Sequence, residues 1–151
     1  MADALIYRVT QRLEQLRADI VAKIEAEGIT ASGRTQRSLQ VVQDETGARL
    51  IAAAGDRAPI QTLEIGREAG KVPRRFYLIL AEWSREKGMS FATERERHTF
   101  AYFLGKRIAR EGTRRHTSPV DVYSAEVQRA TEDIRNMILT SVTETIKNNF
   151  E

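Results

Sequence analysis

The sequence predicts an α+β fold in which a small antiparallel sheet packs against a long N-terminal helix and a long C-terminal helix, with shorter helices between. Apolar residues recur every three or four positions near both ends of the chain, which is the period of an amphipathic helix. Between these ends, two short apolar segments flank a polar, glycine-containing turn, as in a β-hairpin. We expect two to four strands.

Length and composition limit the class of protein. The chain has 151 residues, 41% of them hydrophobic, and no cysteine, so we expect residues 1–151 to form a single domain. The lack of cysteine excludes a disulfide scaffold, a thiolate zinc site and a cysteine nucleophile. No apolar run approaches the roughly 20 residues of a membrane span, and the start lacks a signal-peptide pattern, so we expect no membrane partner.

The first helix and the hairpin are predicted from spacing. The helix runs from about Asp3 to Glu27 and ends at Gly28, since glycine tolerates the positive φ of a helix end. The strands are Ser38–Gln43 and Arg49–Ala54, joined through residues 44–47. The second strand is apolar nearly throughout, which predicts cover on both of its faces.

Four helices are predicted after the hairpin. Pro59 suits the first turn of a short helix that ends at Gly66. A second helix spans Phe76–Lys87, and a third begins at Thr93, which has Glu96 at capping-box spacing. We expect the third helix to bury Phe100, Phe103 or Leu104, and Ile108. The last helix starts near Ser124 and carries an apolar stripe suited to core or to subunit contact: Val127, Ala130, Ile134, Ile138, Val142, Ile146 and Phe150.

Charge is unevenly distributed along the chain. Residues 67–116 contain 13 basic and 6 acidic side chains, whereas residues 117–151 contain 3 and 6. A basic middle segment suits contact with a polyanion or with the acidic face of a neighbouring copy. The alternative is that basic residues at a helix end only balance the helix macrodipole. The candidate residues are Arg67, Lys71, Arg74, Arg75, Lys106, Arg107, Arg110, Arg114 and Arg115.

Several short motifs occur in a recognisable order. Gly33 is followed by Ser38, then Glu64-Ile65-Gly66, a Pro-Arg-Arg segment, a helix with Trp83, and Ile108 before Gly112-Thr113. In this order the chain resembles the tail-completion and neck proteins of tailed phages, similar to the gp10 protein of phage HK97. The resemblance covers roughly residues 5 to 146. Departures are Thr35, where the family has an apolar residue, and Pro119-Val-Asp-Val-Tyr123 in place of Pro-Phe.

The resemblance implies a structural virion protein that acts without a cofactor or catalytic residues. Such a protein is made in the host cytoplasm and located in the tail or neck region of the virion. It forms a closed ring of identical copies at the head-proximal end of the tail, for tail completion and head-tail joining. Its implied partners are the tail tube or terminator and the head connector proteins, with non-specific contact to packaged DNA.

Two other functions remain open from the residues alone. A pI near 9.4 suits a small DNA-binding regulator, although no helix-turn-helix is recognisable. A metal-dependent nuclease built on Asp56 and Glu64 is the second alternative. Neither His98 nor His116 has a ligand partner at metal-site spacing, and glycine-rich phosphate loops and a serine nucleophile elbow are absent.

The aromatic residues Trp83, Phe100, Tyr102 and Phe103 are expected in the core.

Overall fold

A computed structural model describes residues 2–29, 33–52, 59–113 and 121–150. Within these ranges it confirms the α+β prediction, with six helices and a two-stranded antiparallel sheet. The elements are α1 Ala2–Ala26, α2 Arg34–Ser38, β1 Leu39–Asp44, β2 Gly47–Ala52, α3 Pro59–Ile65, α4 Phe76–Glu86, α5 Glu94–Glu111 and α6 Ser124–Phe150. Asp56, Arg114, Arg115 and His116 lie outside the described residues, as does the predicted end of the second strand at 53–54.

The hairpin forms where it was predicted, but its bounds differ: the first strand starts at Leu39, and the turn is shorter because Asp44 and Gly47 belong to the strands. Leu39 pairs with Ala52 and Asp44 with Gly47, and the Asp44 carboxylate accepts the backbone N–H groups of Thr46 and Gly47. Hydrogen bonds from the Thr46 hydroxyl and backbone lower the pKa of Asp44. Ser38 is not the first strand residue, because it ends the short helix α2 and donates its hydroxyl to the Thr35 carbonyl.

The expectation that the second strand is covered on both faces is wrong. Val41 and Leu50 are paired neighbours on the two strands. Both side chains pack against the main hydrophobic core, which includes residues of α1. Val42 and Ile51 lie on the opposite face; they are half-buried, as Val41 and Leu50 are, but they do not belong to this core. The physical reason is that α1 packs against the hairpin from one side, so one face of this apolar strand contacts the core.

Helices α1 and α6 pack antiparallel and form the main core. Leu16, Ile20 and Ile24 of α1 are buried in one cluster with Val122 and Ala130. Two ion pairs fix the register: Arg12 Nε lies 2.8 Å from the Asp133 carboxylate, and Lys23 Nζ lies 3.2 Å from that of Asp121. Burial alone would lower the pKa of Lys23, but its bonds to Asp121 and Glu126 raise it.

Helices α4 and α5 form a second, smaller hydrophobic cluster. Leu80 and Ala81 of α4 pack against Ala101 of α5, and a Cβ on Gly105 would meet the Leu80 side chain at 3.4 Å. Small residues thus let the two helices approach closely. The Thr93 cap is confirmed, since its hydroxyl accepts the backbone N–H of Glu96 at 3.2 Å.

The aromatic residues of α5 depart from the predicted core. Phe103 is 63% exposed and Tyr102 is also exposed, whereas Phe100, Leu104 and Ile108 are half-buried. The expectation of a core position for Tyr102 and Phe103 is therefore wrong. The inward face of α5 is instead occupied by Arg97, Ala101 and Gly105, and an α-helix turns the adjacent residues 102 and 103 away from that face.

Candidate functional site

The loop that follows α3 is held against the C-terminal end of α5. Thr113 donates its backbone N–H to the Arg67 carbonyl at 2.8 Å, and its hydroxyl accepts the Arg67 N–H at 2.8 Å. Gly70 donates its N–H to the Ala109 carbonyl at 2.8 Å. These bonds join two segments that are 39 to 46 residues apart in sequence. We call this contact between residues 66–70 and 109–113 the joint.

Gly112 lies where the joint is tightest. Its backbone has φ 77° and ψ −167°, a region that only glycine adopts readily. A Cβ at this position would lie 2.6 Å from the Arg67 carbonyl oxygen and 3.0 Å from the Ala69 nitrogen. Both the conformation and the close approach therefore require glycine, which explains this motif position. Gly33 and Gly66 also have positive φ angles, as their turn positions predict.

Glu64 connects α3 to the start of α6. Its carboxylate accepts the backbone N–H groups of Val122, Tyr123 and Ser124 at 3.2, 2.9 and 3.2 Å. It also accepts the Ser124 hydroxyl. The side chain is buried, and the negative charge lies at the positive end of the α6 dipole. Burial would raise the pKa of Glu64, but these hydrogen bonds outweigh it and lower the pKa below the usual 4.5.

The basic side chains around the joint differ in what they contact. The Arg67 guanidinium lies 5.7 Å from the centre of the Phe76 ring and donates to the Lys71 carbonyl. Arg110 is paired with Glu111 at 2.5 Å. Hydrogen bonds from Arg107 and Arg110 lower the pKa of Glu111. Arg67 and Arg110 are thus engaged within the chain.

Arg74 and Arg75, at the start of α4, are the cations most available to a partner. Both are exposed, and neither side chain makes a hydrogen bond or ion pair with another described residue, although the Arg75 carbonyl accepts the Leu78 N–H at 2.9 Å. Arg75 has φ 59°, a left-handed conformation that costs a non-glycine residue about 1–3 kcal/mol. Among the described residues it is the one non-glycine position with positive φ. Lys71 is exposed nearby in the same loop.

The remaining motif residues, Trp83 and Ile108, belong to helices α4 and α5. Trp83 is half-buried on α4, and Ile108 packs in the α4–α5 cluster. Sequence reasoning missed the buried Arg97, whose guanidinium donates to the Ser84 hydroxyl at 3.0 Å and lies over the Phe91 ring. A signal for it was available in the sequence. Ala101 and Gly105 follow Arg97 at intervals of four residues, and small residues on one helix face often mark a close contact with another helix.

The nuclease alternative depends on one residue that is already hydrogen-bonded within the chain and on one that the structure does not describe. The two oxygens of Glu64 already accept hydrogen bonds, and its nuclease partner Asp56 lies outside the described residues. In the described ranges no three His, Asp or Glu side chains cluster closely enough to hold a metal ion. No helix within those same ranges is long and apolar enough to cross a membrane.

Comparison with protein-family models, curated proteins and solved structures finds no match for this chain.

Proposed function

We propose that this chain is a structural virion protein of a tailed phage, which assembles as a ring at the head-proximal end of the tail. In that position it takes part in tail completion and head-tail joining. The proposal takes its starting point from the order of motifs in the sequence. The ring joins tail tube to head connector by complementary shape and charge, and no covalent bond is made or broken.

The observation that carries the proposal is the placement of the motif residues. Glu64 and Gly66 lie at the end of α3, and two contacts with distant segments start there: Glu64 binds the start of α6, and Arg67 binds Thr113 next to Gly112. Each of them has a role in holding the backbone, and the exposed Arg74 and Arg75 extend from the adjacent loop. The motif positions therefore fix the backbone from which this exposed basic loop extends.

Charge reversal at the exposed arginines tests the proposal. We expect Arg74→Glu/Arg75→Glu to leave the monomer folded but to block ring closure or head-tail joining, because these side chains face a negatively charged partner. The readout is the titre and the electron microscopy of particles made with the variant. A matched control is Arg8→Glu/Arg135→Glu, which reverses two exposed charges elsewhere. Normal infectious particles from the first variant would show that this loop makes no essential contact.

A small DNA-binding regulator is the second candidate, and it is favoured by the same exposed cations. Lys71, Arg74 and Arg75 lie close together in the sequence on one exposed loop, as phosphate contacts require. If the chain is a regulator, the purified protein binds duplex DNA with an affinity that falls steeply with salt. The structural proposal predicts only weak, sequence-independent binding.

A further inference from the structure

The pair of helices α4 and α5 carries its positive charge at one end. Packing places the start of α4 beside the C-terminal half of α5, where a Cβ on Gly105 would lie 3.5 Å from the Phe76 ring. The segments that lead to this end, residues 67–75 and 98–111, contain 7 basic and 2 acidic side chains, whereas residues 76–97 contain 4 of each. Folding thus brings cations from two distant segments to one end of the helix pair.

The acidic side chains at this end do not balance the cations. Arg107 and Arg110 share one carboxylate, that of Glu111, at 2.9 and 2.5 Å. Lys106 is exposed and has no acidic partner among the described residues. The two exposed arginines at the start of α4 add further charges that no described side chain pairs with. This end of the helix pair therefore attracts a negatively charged partner.

Exposed aromatic rings lie on α5 beside these cations. Tyr102 and Phe103 are 47% and 63% exposed, and their rings meet edge to face with centres 5.7 Å apart. The Lys106 Nζ lies 4.8 Å from the centre of the Tyr102 ring, a cation–π distance, and Phe103 lines an open depression together with Arg107. Aromatic rings and cations are thus interleaved. We call this set the basic aromatic end, which consists of Arg74, Arg75, Tyr102, Phe103, Lys106 and Arg107.

We propose that the basic aromatic end binds single-stranded nucleic acid, with a base stacked on Phe103 and the phosphates bound by the surrounding cations. Proteins that hold single strands without sequence preference combine positive charge with exposed aromatic side chains, because every base has a π-face. A duplex offers no free base to these rings, and its protein contacts go to phosphates and base edges. The inference goes beyond the ring function proposed above and does not depend on it.

A second copy of the chain suits this end less well than a nucleic acid does. The exposed apolar residues that a copy would offer form the distal surface of α6: Ile138, Val142, Ile146 and Phe150. Residues 135–150, which carry that surface, contain two basic and one acidic side chain. Docking them on the basic aromatic end would bring positive charge to positive charge, whereas a polyanion neutralises it.

Fluorescence anisotropy of a labelled oligothymidine of about 12 nucleotides, in about 50 mM salt, tests the proposal on the full-length protein. We expect binding several-fold tighter than to a duplex of the same length. Phe103→Leu keeps an apolar side chain but removes the π-face, so it should weaken oligothymidine binding about fivefold or more. Phe103→Trp should retain binding. The matched control is Phe150→Leu, which changes an exposed phenylalanine on distal α6 and should leave the affinity unchanged.

The charge contribution is measured separately. Arg74→Glu/Arg75→Glu should weaken oligothymidine binding and reduce its dependence on salt, because fewer counterions are released. Circular dichroism checks that each variant is folded. Folding is expected for the Phe103 variants, since that side chain is mostly exposed.

Four outcomes would overturn the proposal. Absence of binding at low salt would show that this end does not hold a single strand. Equal affinities for single strand and duplex, unchanged by Phe103→Leu, would show phosphate contact without stacking. An equal loss with Phe150→Leu would place the strand elsewhere. Self-association that Phe103→Leu abolishes and oligothymidine does not compete with would assign the rings to a second copy. The test uses purified protein, so its result is independent of whether the chain is found in particles.

Discussion

At the residue scale, the Glu64 side chain links the end of α3 to the start of α6. One carboxylate accepts the N–H groups of Val122 and Tyr123, just before α6, and of Ser124, its first residue, which a helix start otherwise leaves to water. The sequence made Glu64 recognisable as a motif residue, but its acceptor role was not predictable, because its donors lie about sixty residues further along the chain. Local spacing carries no information about such a contact.

Glu64→Gln should lower the free energy of unfolding by about 1–3 kcal/mol, because the three backbone N–H groups lose a charged acceptor and an NH₂ group replaces the oxygen that accepts the Ser124 hydroxyl. The folded-state pKa of Glu64 lies below its usual value of 4.5. Its stabilisation is therefore complete above about pH 4.5 and is lost as the pH falls through the folded pKa. Urea unfolding between pH 3 and 7, about the range over which a Glu titrates, measures both effects.

The exposed neighbour Glu68 is the control for that experiment. Glu68→Gln should leave both the unfolding free energy and its acid dependence nearly unchanged. If Glu64→Gln behaves in the same way, Glu64 is not the cap of α6.

Gly112→Ala should destabilise the protein by at least about 2 kcal/mol, since alanine is strained at this φ and ψ and its Cβ would collide with the Arg67 backbone. Thermal or urea unfolding measures the difference. Gly47→Ala is the matched change, because no atom lies within 4 Å of the added carbon there. Equal stability of the two variants would rule out the tight joint.

At the element scale, the positions of the helices and the hairpin were largely predictable from the sequence. Which of these elements pack against each other was not predictable. The periodic positions of α1, the hairpin turn and the Thr93 cap are local properties, so the sequence was sufficient for them. Which face of α5 is buried depends on its contact with α4. The small residues of α5 lie in that contact, so Phe103 lies on the exposed side. The depth to which α6 enters the core depends in the same way on where α1 packs.

The buried contact between α4 and α5 gives a prediction for that helix pair. Ser84→Ala removes the hydroxyl that accepts the Arg97 guanidinium, so a buried cation loses a hydrogen bond. We expect a loss of about 1–3 kcal/mol in unfolding free energy. Ser90→Ala, at an exposed position, should change little. A neutral Ser84→Ala would mean that Arg97 has another sufficient partner.

Replacing one isoleucine in the core and one on the distal surface of α6 compares what the two positions contribute to the free energy of unfolding. Ile20→Ala should lower the unfolding free energy by about 2–5 kcal/mol, because Ile20 is almost fully buried. Ile146→Ala should change it by less than about 0.5 kcal/mol in the isolated chain, because more than half of Ile146 is exposed. Chemical denaturation at low protein concentration measures both. A large loss for Ile146→Ala would place distal α6 within the folded core.

At the scale of the whole molecule, a basic middle segment is combined with an acidic C-terminal segment and with two separate apolar surfaces. The uneven charge was visible in the sequence, and so was the apolar stripe of α6. Whether that stripe was core or contact was not predictable, because periodicity is the same in both cases. In the structure Ala130 is buried and Ile134 packs against the core, whereas Val127 and the stripe positions from Ile138 to Phe150 are exposed.

The central claim is that this chain is a stoichiometric part of a virion. Quantitative mass spectrometry of purified particles from the source phage or prophage, counted relative to the portal protein, tests it most directly. We predict one ring per particle, about six to twelve copies, as a closed cyclic interface suggests. Absence of the chain from clean particles, together with its abundance in infected cells, would contradict the structural function.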